Sequence, residues 1–144
     1  MYASLADMVE RYGEVELLRL SVIDGPTPED IADLRVEARV SRAIATAGDI
    51  VDSYLRKRYS TPLATPPASI VEATCVLARH WLSTSGSVNP SDSVTTAVAQ
   101  TRAWLGRIAT GDVTIEGLAP VAQSAAARVS DRPKIYEPGA GGMW

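Results

Sequence analysis

The side chains best suited to acid–base, nucleophilic or metal chemistry are few in this sequence. His80 is its only histidine and Cys75 its only cysteine. A single histidine leaves at most one candidate for a histidine-based metal site or a base-activated serine, and no neighbour in sequence orients it. Cys75 falls in an apolar helical stretch, where a thiol behaves as a small buried hydrophobe. We therefore expect both side chains to be structural.

Asp49 and Asp52 form a candidate carboxylate pair, because a spacing of three places both on one side of a helix. Arg56 and Arg58 follow closely and would keep both carboxylates ionised, which is the opposite of what a general acid needs. Asp52 and Arg56 also have the i, i+4 spacing of a helical ion pair. The sequence therefore predicts no enzyme, no metal site and no cofactor.

Apolar residues recur at helical spacing through most of the chain up to Gly111. The first predicted helix is capped by Ser4 and Asp7 and ended by Gly13, and the second is Glu14–Leu20, with Val15, Leu17, Leu18 and Leu20 apolar. The third covers residues 28–58 and is opened by Thr27 or Pro28, and the fourth is started by Pro66 and Pro67 and runs through Trp81. The fifth is capped by Asn89, begins at Pro90, reaches Ala109 and is stopped by Gly111. This pattern predicts an all-α fold, a small bundle of four to five helices. The helix before Trp81 is apolar almost all round and should be central.

The longest predicted helix has one apolar and one charged face. Its apolar face is predicted to comprise Val40, Ile44, Ala47, Val51 and Tyr54. The opposite face carries Arg35, Arg39, Arg42 and Asp49. Such a face is either solvated or in contact with a neighbouring subunit, for instance with the acidic region of Glu10, Glu14 and Glu16. We treat these four residues as a candidate subunit interface.

The composition changes after Gly111, so residues 1–111 are predicted to form the helical domain and residues 112–144 an extended or flexible arm. The β-branched residues Val113, Thr114 and Ile115 could add a short strand to a partner. Further apolar residues occur among prolines and glycines. The candidate anchors of this arm are Val113, Ile115, Ile135, Tyr136 and Trp144.

The segment from Gly48 to Leu63 carries the most specific pattern, a small residue followed by Asp-Ile-x-x-Tyr-Leu-x-x-Arg-Tyr-x-x-Pro-Leu. Its motif residues, predicted to be architectural, are Tyr54, Leu55, Arg58, Tyr59, Pro62 and Leu63. Together with the opening Met-Tyr-Ala-Ser-Leu-Ala-Asp and the Pro-Pro-x-x-Ile that begins the following helix, this segment resembles the Mu-like phage and prophage head-to-tail connector, or adaptor, proteins. The resemblance covers most of residues 1–111.

This resemblance implies a structural virion protein that forms a homo-oligomeric ring under the portal, of about a dozen copies if it follows the portal's symmetry. It further implies that the ring bridges capsid to tail, contacts the portal protein and a tail-side connector or terminator protein, and lets DNA pass with transient, non-specific contact. The implied location is the virion neck, and the host cytoplasm before assembly.

The charge distribution bears on the alternative of a helical DNA-binding or regulatory protein. The formal net charge is -3, and residues 29–65 balance six acidic against six basic side chains. A dedicated nucleic-acid surface usually needs a concentrated basic face, and here only Arg56, Lys57 and Arg58 cluster. No apolar run is long enough to predict a signal peptide or a membrane span. The connector is the stronger prediction.

Overall fold

The structure, a computed structural model, describes residues 1–122, and within them the chain is all-α. Its helices are α1 (Leu5–Tyr12), α2 (Glu14–Leu20), α3 (Leu34–Leu55), α4 (Ala68–Ser85) and α5 (Asp92–Thr110). The predicted small helical bundle is confirmed.

The long helices α3, α4 and α5 pack against one another, and α1 and α2 lie against α3. Helix α4 is largely buried, as predicted from its composition, and it packs on both α3 and α5, whereas α3 contacts all four other helices. Its fully enclosed side chains include Ile70, Cys75 and Leu82. The apolar face predicted for α3 is also buried from Val40 to Val51. Helical periodicity was therefore sufficient to identify the faces that make the core.

The ends of α1 and α5 follow local rules of capping. Ser4 and Asp7 form the predicted capping box, in which the Ser4 hydroxyl accepts from the Asp7 backbone N–H and the Asp7 carboxylate accepts from that of Ser4. Gly111 ends α5 in the left-handed conformation, with φ 93°. The predicted stops at Gly13 and Gly111 are confirmed.

The predicted starts of the long helices were too early. Helix α3 begins at Leu34 rather than at Thr27 or Pro28, because two aspartates form local turns before it. The Asp30 carboxylate accepts from the backbone N–H of Ala32 at 2.9 Å, and Asp33 accepts from that of Arg35 at 2.9 Å. Such side-chain bonds compete with helical hydrogen bonding, and they make Asp33 the N-cap.

Helices α4 and α5 differ less from their predicted bounds, α4 at its end and α5 at its start. Helix α4 starts directly after Pro67, as expected from the proline pair, but it runs one turn beyond Trp81, to Ser85. Helix α5 is capped by Ser91 rather than by Asn89, because the Ser91 hydroxyl accepts from the backbone N–H of Val94. None of the helices in residues 1–122 has both the length and the apolar content of a bilayer-spanning segment.

The predicted domain boundary after Gly111 has to be moved. Ile115 is only 5% exposed and lies in the core cluster, and Val113 and Leu118 pack against that cluster. The backbone N–H of Val121 donates to the Arg58 carbonyl at 2.6 Å. Residues 113–115 form no strand. The first part of the predicted arm is thus part of the domain, because its apolar side chains find a place between the helices of their own chain.

Candidate functional site

Tyr2 joins three distant parts of the chain through its hydroxyl group. The hydroxyl donates to the Asp52 carboxylate in α3 and accepts from the backbone N–H of Leu63 at 2.9 Å. The Tyr2 side chain is only 4% exposed. Burial, followed by the bond to Asp52, raises the pKa of Tyr2 to about 12, so the phenol stays protonated at neutral pH. This tyrosine fastens the N-terminus to α3 and to the crossover after it.

The expected ion pair between Asp52 and Arg56 does not form. Arg56 is exposed, and no contact within ion-pair distance joins these two side chains. Asp52 is instead bound by Tyr2. A hydrogen bond from a buried phenol replaces the surface pair because it costs less side-chain entropy than holding a long, exposed arginine.

Tyr59 links the crossover to the segment after α5. Its hydroxyl accepts from the backbone N–H of Ile115 at 3.1 Å, and its ring is buried. The Arg58 guanidinium packs directly over Gly111, whose positive φ favours glycine; a larger side chain there would have to displace the end of the Arg58 side chain. Both residues therefore hold the end of α5 against the crossover.

The remaining motif residues divide between core and surface. Leu55 is fully enclosed and Leu63 is buried, whereas Pro62 is exposed and follows a cis peptide bond. Tyr54 is half-buried and packs on the outside of the core cluster, so its predicted position between two helices is only partly right. The structure gives five of the six motif residues packing or hydrogen-bonding roles within the chain.

Replacement of Tyr2 by Phe tests the hydrogen bonds of this hydroxyl directly. Tyr2→Phe is expected to lower the free energy of unfolding by about 2 kcal/mol, since the Asp52 carboxylate and the buried Leu63 N–H both lose a partner. Chemical denaturation measures this difference. Tyr54→Phe is the matched control, because the Tyr54 hydroxyl has no partner within residues 1–122; equal effects of the two changes would contradict the assigned role.

An open groove of about 420 Å³ lies between the N-terminal half of α3, the segment after α2 and the end of α4. Its basic side is formed by Arg35, Arg39 and Arg42, and its apolar side by Val22, Ile23 and Trp81. We call this the arginine groove. The three arginines of the candidate interface thus meet on one surface, as their spacing predicted.

Arg39 is the arginine most firmly held in this groove. Its guanidinium lies 5.6 Å from the centre of the Trp81 ring, and Nη2 donates to the Ser85 carbonyl at 2.8 Å. Its Nε is buried with no partner among the described residues. Burial lowers the pKa of Arg39, although an arginine keeps its charge at neutral pH. The groove therefore holds a cation fixed in place by Trp81 and Ser85.

The other members of the predicted charged face differ from Arg39. Arg35 is bound by the Asp33 carboxylate at 2.8 Å, while Arg42 is exposed and pairs with no acid in the described part of the chain. Asp49 is exposed on the same side of α3 but lies seven residues, or about 10 Å, beyond Arg42 and does not line the groove. The prediction grouped Asp49 with the arginines because helical periodicity shows which side of a helix a residue lies on, but not how far along the helix a surface extends.

The acidic region considered as a partner for these arginines forms the turn between α1 and α2. Glu10 and Glu14 are exposed there. Glu16 is not available, because it pairs with Arg79 at 2.6 Å and Arg79 in turn stacks on Tyr12. Val15, one of the four apolar residues of α2, is 81% exposed. We call Glu10, Glu14 and Val15 the acidic corner.

The two residues considered first for catalysis both lie on α4. Cys75 is fully enclosed, and burial raises the pKa of its thiol to about 11, so it is protonated at neutral pH. His80 is half-buried on α4. Within residues 1–122 no three His, Cys, Asp or Glu side chains are grouped closely enough to bind a metal ion.

Several residues of these surfaces were missed by sequence reasoning. Tyr2 gave no signal, because its partners are 50 and 61 positions away. Ile23 sits beside the Asp-Gly-Pro turn and could have been noticed as an apolar residue in a polar loop. Of the predicted arm anchors, Val113 and Ile115 pack in their own domain, which corrects that assignment, while Ile135, Tyr136 and Trp144 lie outside the described residues.

Comparison with known proteins places these features in a family. The chain matches the family described as Bacteriophage Mu, Gp36 over residues 2–131. Gene product J of Escherichia phage Mu is 27% identical over 113 residues, which cover 76% of this chain and 72% of that protein. The Mu-like prophage FluMu protein gp36 of Haemophilus influenzae is 29% identical over 115 residues, covering 80% of this chain and 75% of that protein. The family match includes α1 to α5, the arginine groove and the acidic corner.

Proposed function

We propose, from the premise that this chain belongs to the Bacteriophage Mu, Gp36 family, that it is a structural virion protein acting as the head-to-tail connector, or adaptor. In this role it joins a filled capsid to a tail and is not an enzyme. Its relatives from phage Mu and from a Mu-like prophage support the phage part of the proposal. The connector part rests on the resemblance of its central motif and on the surfaces described above.

The observation that carries the connector role is the arginine groove. A small helical domain buries its own apolar residues, yet it leaves a basic and apolar concavity uncovered on one side. Ile23 in this groove is 56% exposed, and the Arg39 guanidinium beside it is held in place by Trp81 and by the Ser85 carbonyl. Uncovered apolar surface beside fixed charges is typical of a surface that meets another protein.

The proposed assembly is a homo-oligomeric ring beneath the portal protein, twelve-fold if it follows the portal's cyclic symmetry. Its other partner is a tail-side connector or terminator protein. The protein resides in the host cytoplasm before assembly and in the neck of the virion afterwards. DNA passes through the ring with only transient contact, and a formal net charge of -3 suits this, because a strongly basic lining would retain the phosphates.

The alternative of a helical DNA-binding or regulatory protein has less support. Its main basis was the cluster of Arg56, Lys57 and Arg58 at the end of α3. Only Arg56 and Lys57 are exposed, whereas Arg58 is half-buried against Gly111. Two exposed cations give a small electrostatic footprint for a duplex.

Deletion of the gene from the phage or prophage that encodes this protein tests the connector role. We expect DNA-filled heads and complete tails to accumulate separately, because the junction between them is missing, and we expect a plasmid copy to restore whole particles. Electron microscopy of lysates measures both outcomes. Normal particles without the gene, or a failure to form heads at all, would exclude the proposed role.

A further inference from the structure

We infer that the arginine groove of one copy receives the acidic corner of a second copy of this chain, so that identical subunits join head to tail. The inference rests on the proposed function, since it names the contact by which a connector ring would close. It concerns two surfaces that both lie in the described part of the chain and that do not contact each other within the monomer.

The groove offers positive charge beside an apolar wall. Arg39 and Arg42 supply cations that no carboxylate within residues 1–122 pairs with, whereas Arg35 is already bound by Asp33. Asp24 is the acidic side chain on the groove's edge. The groove has three arginines and only two carboxylates beside them, Asp24 and Asp33, so positive charge is in excess. A suitable occupant therefore carries carboxylates next to a small apolar side chain.

The acidic corner has this composition. Val15 projects into solvent directly after Glu14 at the start of α2, and Glu10 lies in the last turn of α1, on the other side of the break at Gly13. Arg19 is the exposed cation nearest along α2, four residues after Val15. Val15 is small enough to enter a groove of about 420 Å³ between Ile23 and Trp81, while Glu10 and Glu14 would face Arg42 and Arg39. Charge and size thus match between the two surfaces.

The two surfaces lie on opposite sides of α4, so they cannot meet within one molecule. Arg79 and Ser83 of α4 face the cavity beside Val15, whereas Trp81 and Ser85 face the arginine groove. Residues two apart on a helix point about 200° away from each other. A contact between different surfaces that face apart is heterologous, and repeated copies close into a ring when the rotation allows it.

Cross-linking of single-cysteine variants tests this contact in the purified full-length protein. Val15→Cys and Ile23→Cys variants are mixed at millimolar concentration and treated with a short bismaleimide; native Cys75 is fully enclosed and should not react. We expect a covalent dimer in the mixture and little dimer from either variant alone. Val121→Cys replaces Ile23→Cys in the control mixture, because Val121 is similarly exposed, at 54%, and lies away from the groove.

Charge reversal then asks whether the predicted residues hold the contact. Arg42→Glu in the Ile23→Cys chain, or Glu14→Arg in the Val15→Cys chain, should each reduce the cross-linked dimer roughly tenfold, and combining them should restore most of it. Arg56→Glu, which changes an exposed arginine outside the groove, should have no effect.

Three results would overturn the inference. The first is a yield of cross-linked dimer no higher than in the Val121→Cys control mixture. The second is efficient cross-linking of Ile23→Cys with itself, and the third is a dimer yield that neither charge reversal changes. None of them bears on whether gene deletion separates heads from tails, so the contact can fail while the connector role stands. If deletion leaves particles intact but the cross-link forms, the connector role fails and the self-contact remains.

Discussion

Removal of residues 112–144 is expected to lower the free energy of unfolding by about 3–5 kcal/mol, because this change takes a buried side chain out of the core. Ile115 is 5% exposed and belongs to the same apolar cluster as α3, α4 and α5. The truncation also leaves the buried Tyr59 hydroxyl without its partner at Ile115. A loss of this size is a large fraction of the stability of an ordinary domain.

A chain ending at Ala122 is the matched control for this truncation. It keeps Ile115, the half-buried Val113 and the hydrogen bond from Val121 to Arg58. Urea denaturation of the two shortened chains and of Ile115→Ala in the full chain separates the contribution of one side chain from that of the segment. If the chain ending at Gly111 unfolded at the same urea concentration as the one ending at Ala122, residues 112–122 would not belong to the domain.

The helical core was predictable from the sequence because its signals are local. Apolar residues three and four apart identified the inner faces of α3 and α5, and the composition of α4 identified it as largely buried. Gly111 marked the end of α5, where the structure has a positive φ, and Ser4 with Asp7 marked the start of α1, where the structure has a capping box. Each of these signals lies within a few residues of the feature it predicts.

The starts of the long helices were less predictable, because several residues compete to cap a helix. Thr27 with Pro28 and Asn89 with Pro90 are plausible starts by composition. The structure selects Asp33 and Ser91 instead, where the side chain reaches the backbone two or three residues on. Both selected caps accept a hydrogen bond from the backbone at the start of the helix, and composition alone does not show which of several candidate side chains makes that bond.

Contacts between distant parts of the chain could not be predicted in this way. Tyr2 with Asp52 and Tyr59 with Ile115 are joined across more than 45 residues, and nothing in the sequence around either tyrosine identifies its partner. The same holds for the arginine groove. The spacing of Arg35, Arg39 and Arg42 placed them on one face, but only the folded chain brings Ile23 and Trp81 beside them.

Leu55→Ala is expected to lower the free energy of unfolding by about 3–4 kcal/mol, because Leu55 is fully enclosed at the point where α3 ends. Removal of its side chain leaves a cavity whose walls are helices that can shift only slightly. The expected loss for Tyr54→Ala is smaller, about 1–2 kcal/mol, since that ring is half-buried and keeps part of its surface in water. The sequence alone placed Tyr54 on the apolar face of this helix.

The comparison of these adjacent residues distinguishes packing inside the bundle from packing on its surface. Both variants remove a large side chain from the last turn of α3, so helix propensity contributes little to the difference. Thermal and chemical denaturation, with circular dichroism to confirm retained helix, measure both values. A larger loss for Tyr54→Ala than for Leu55→Ala would mean that the last turn of α3 is rotated, with Tyr54 in the core. That rotation would also move Asp52 away from Tyr2, so Tyr2→Phe would then have little effect.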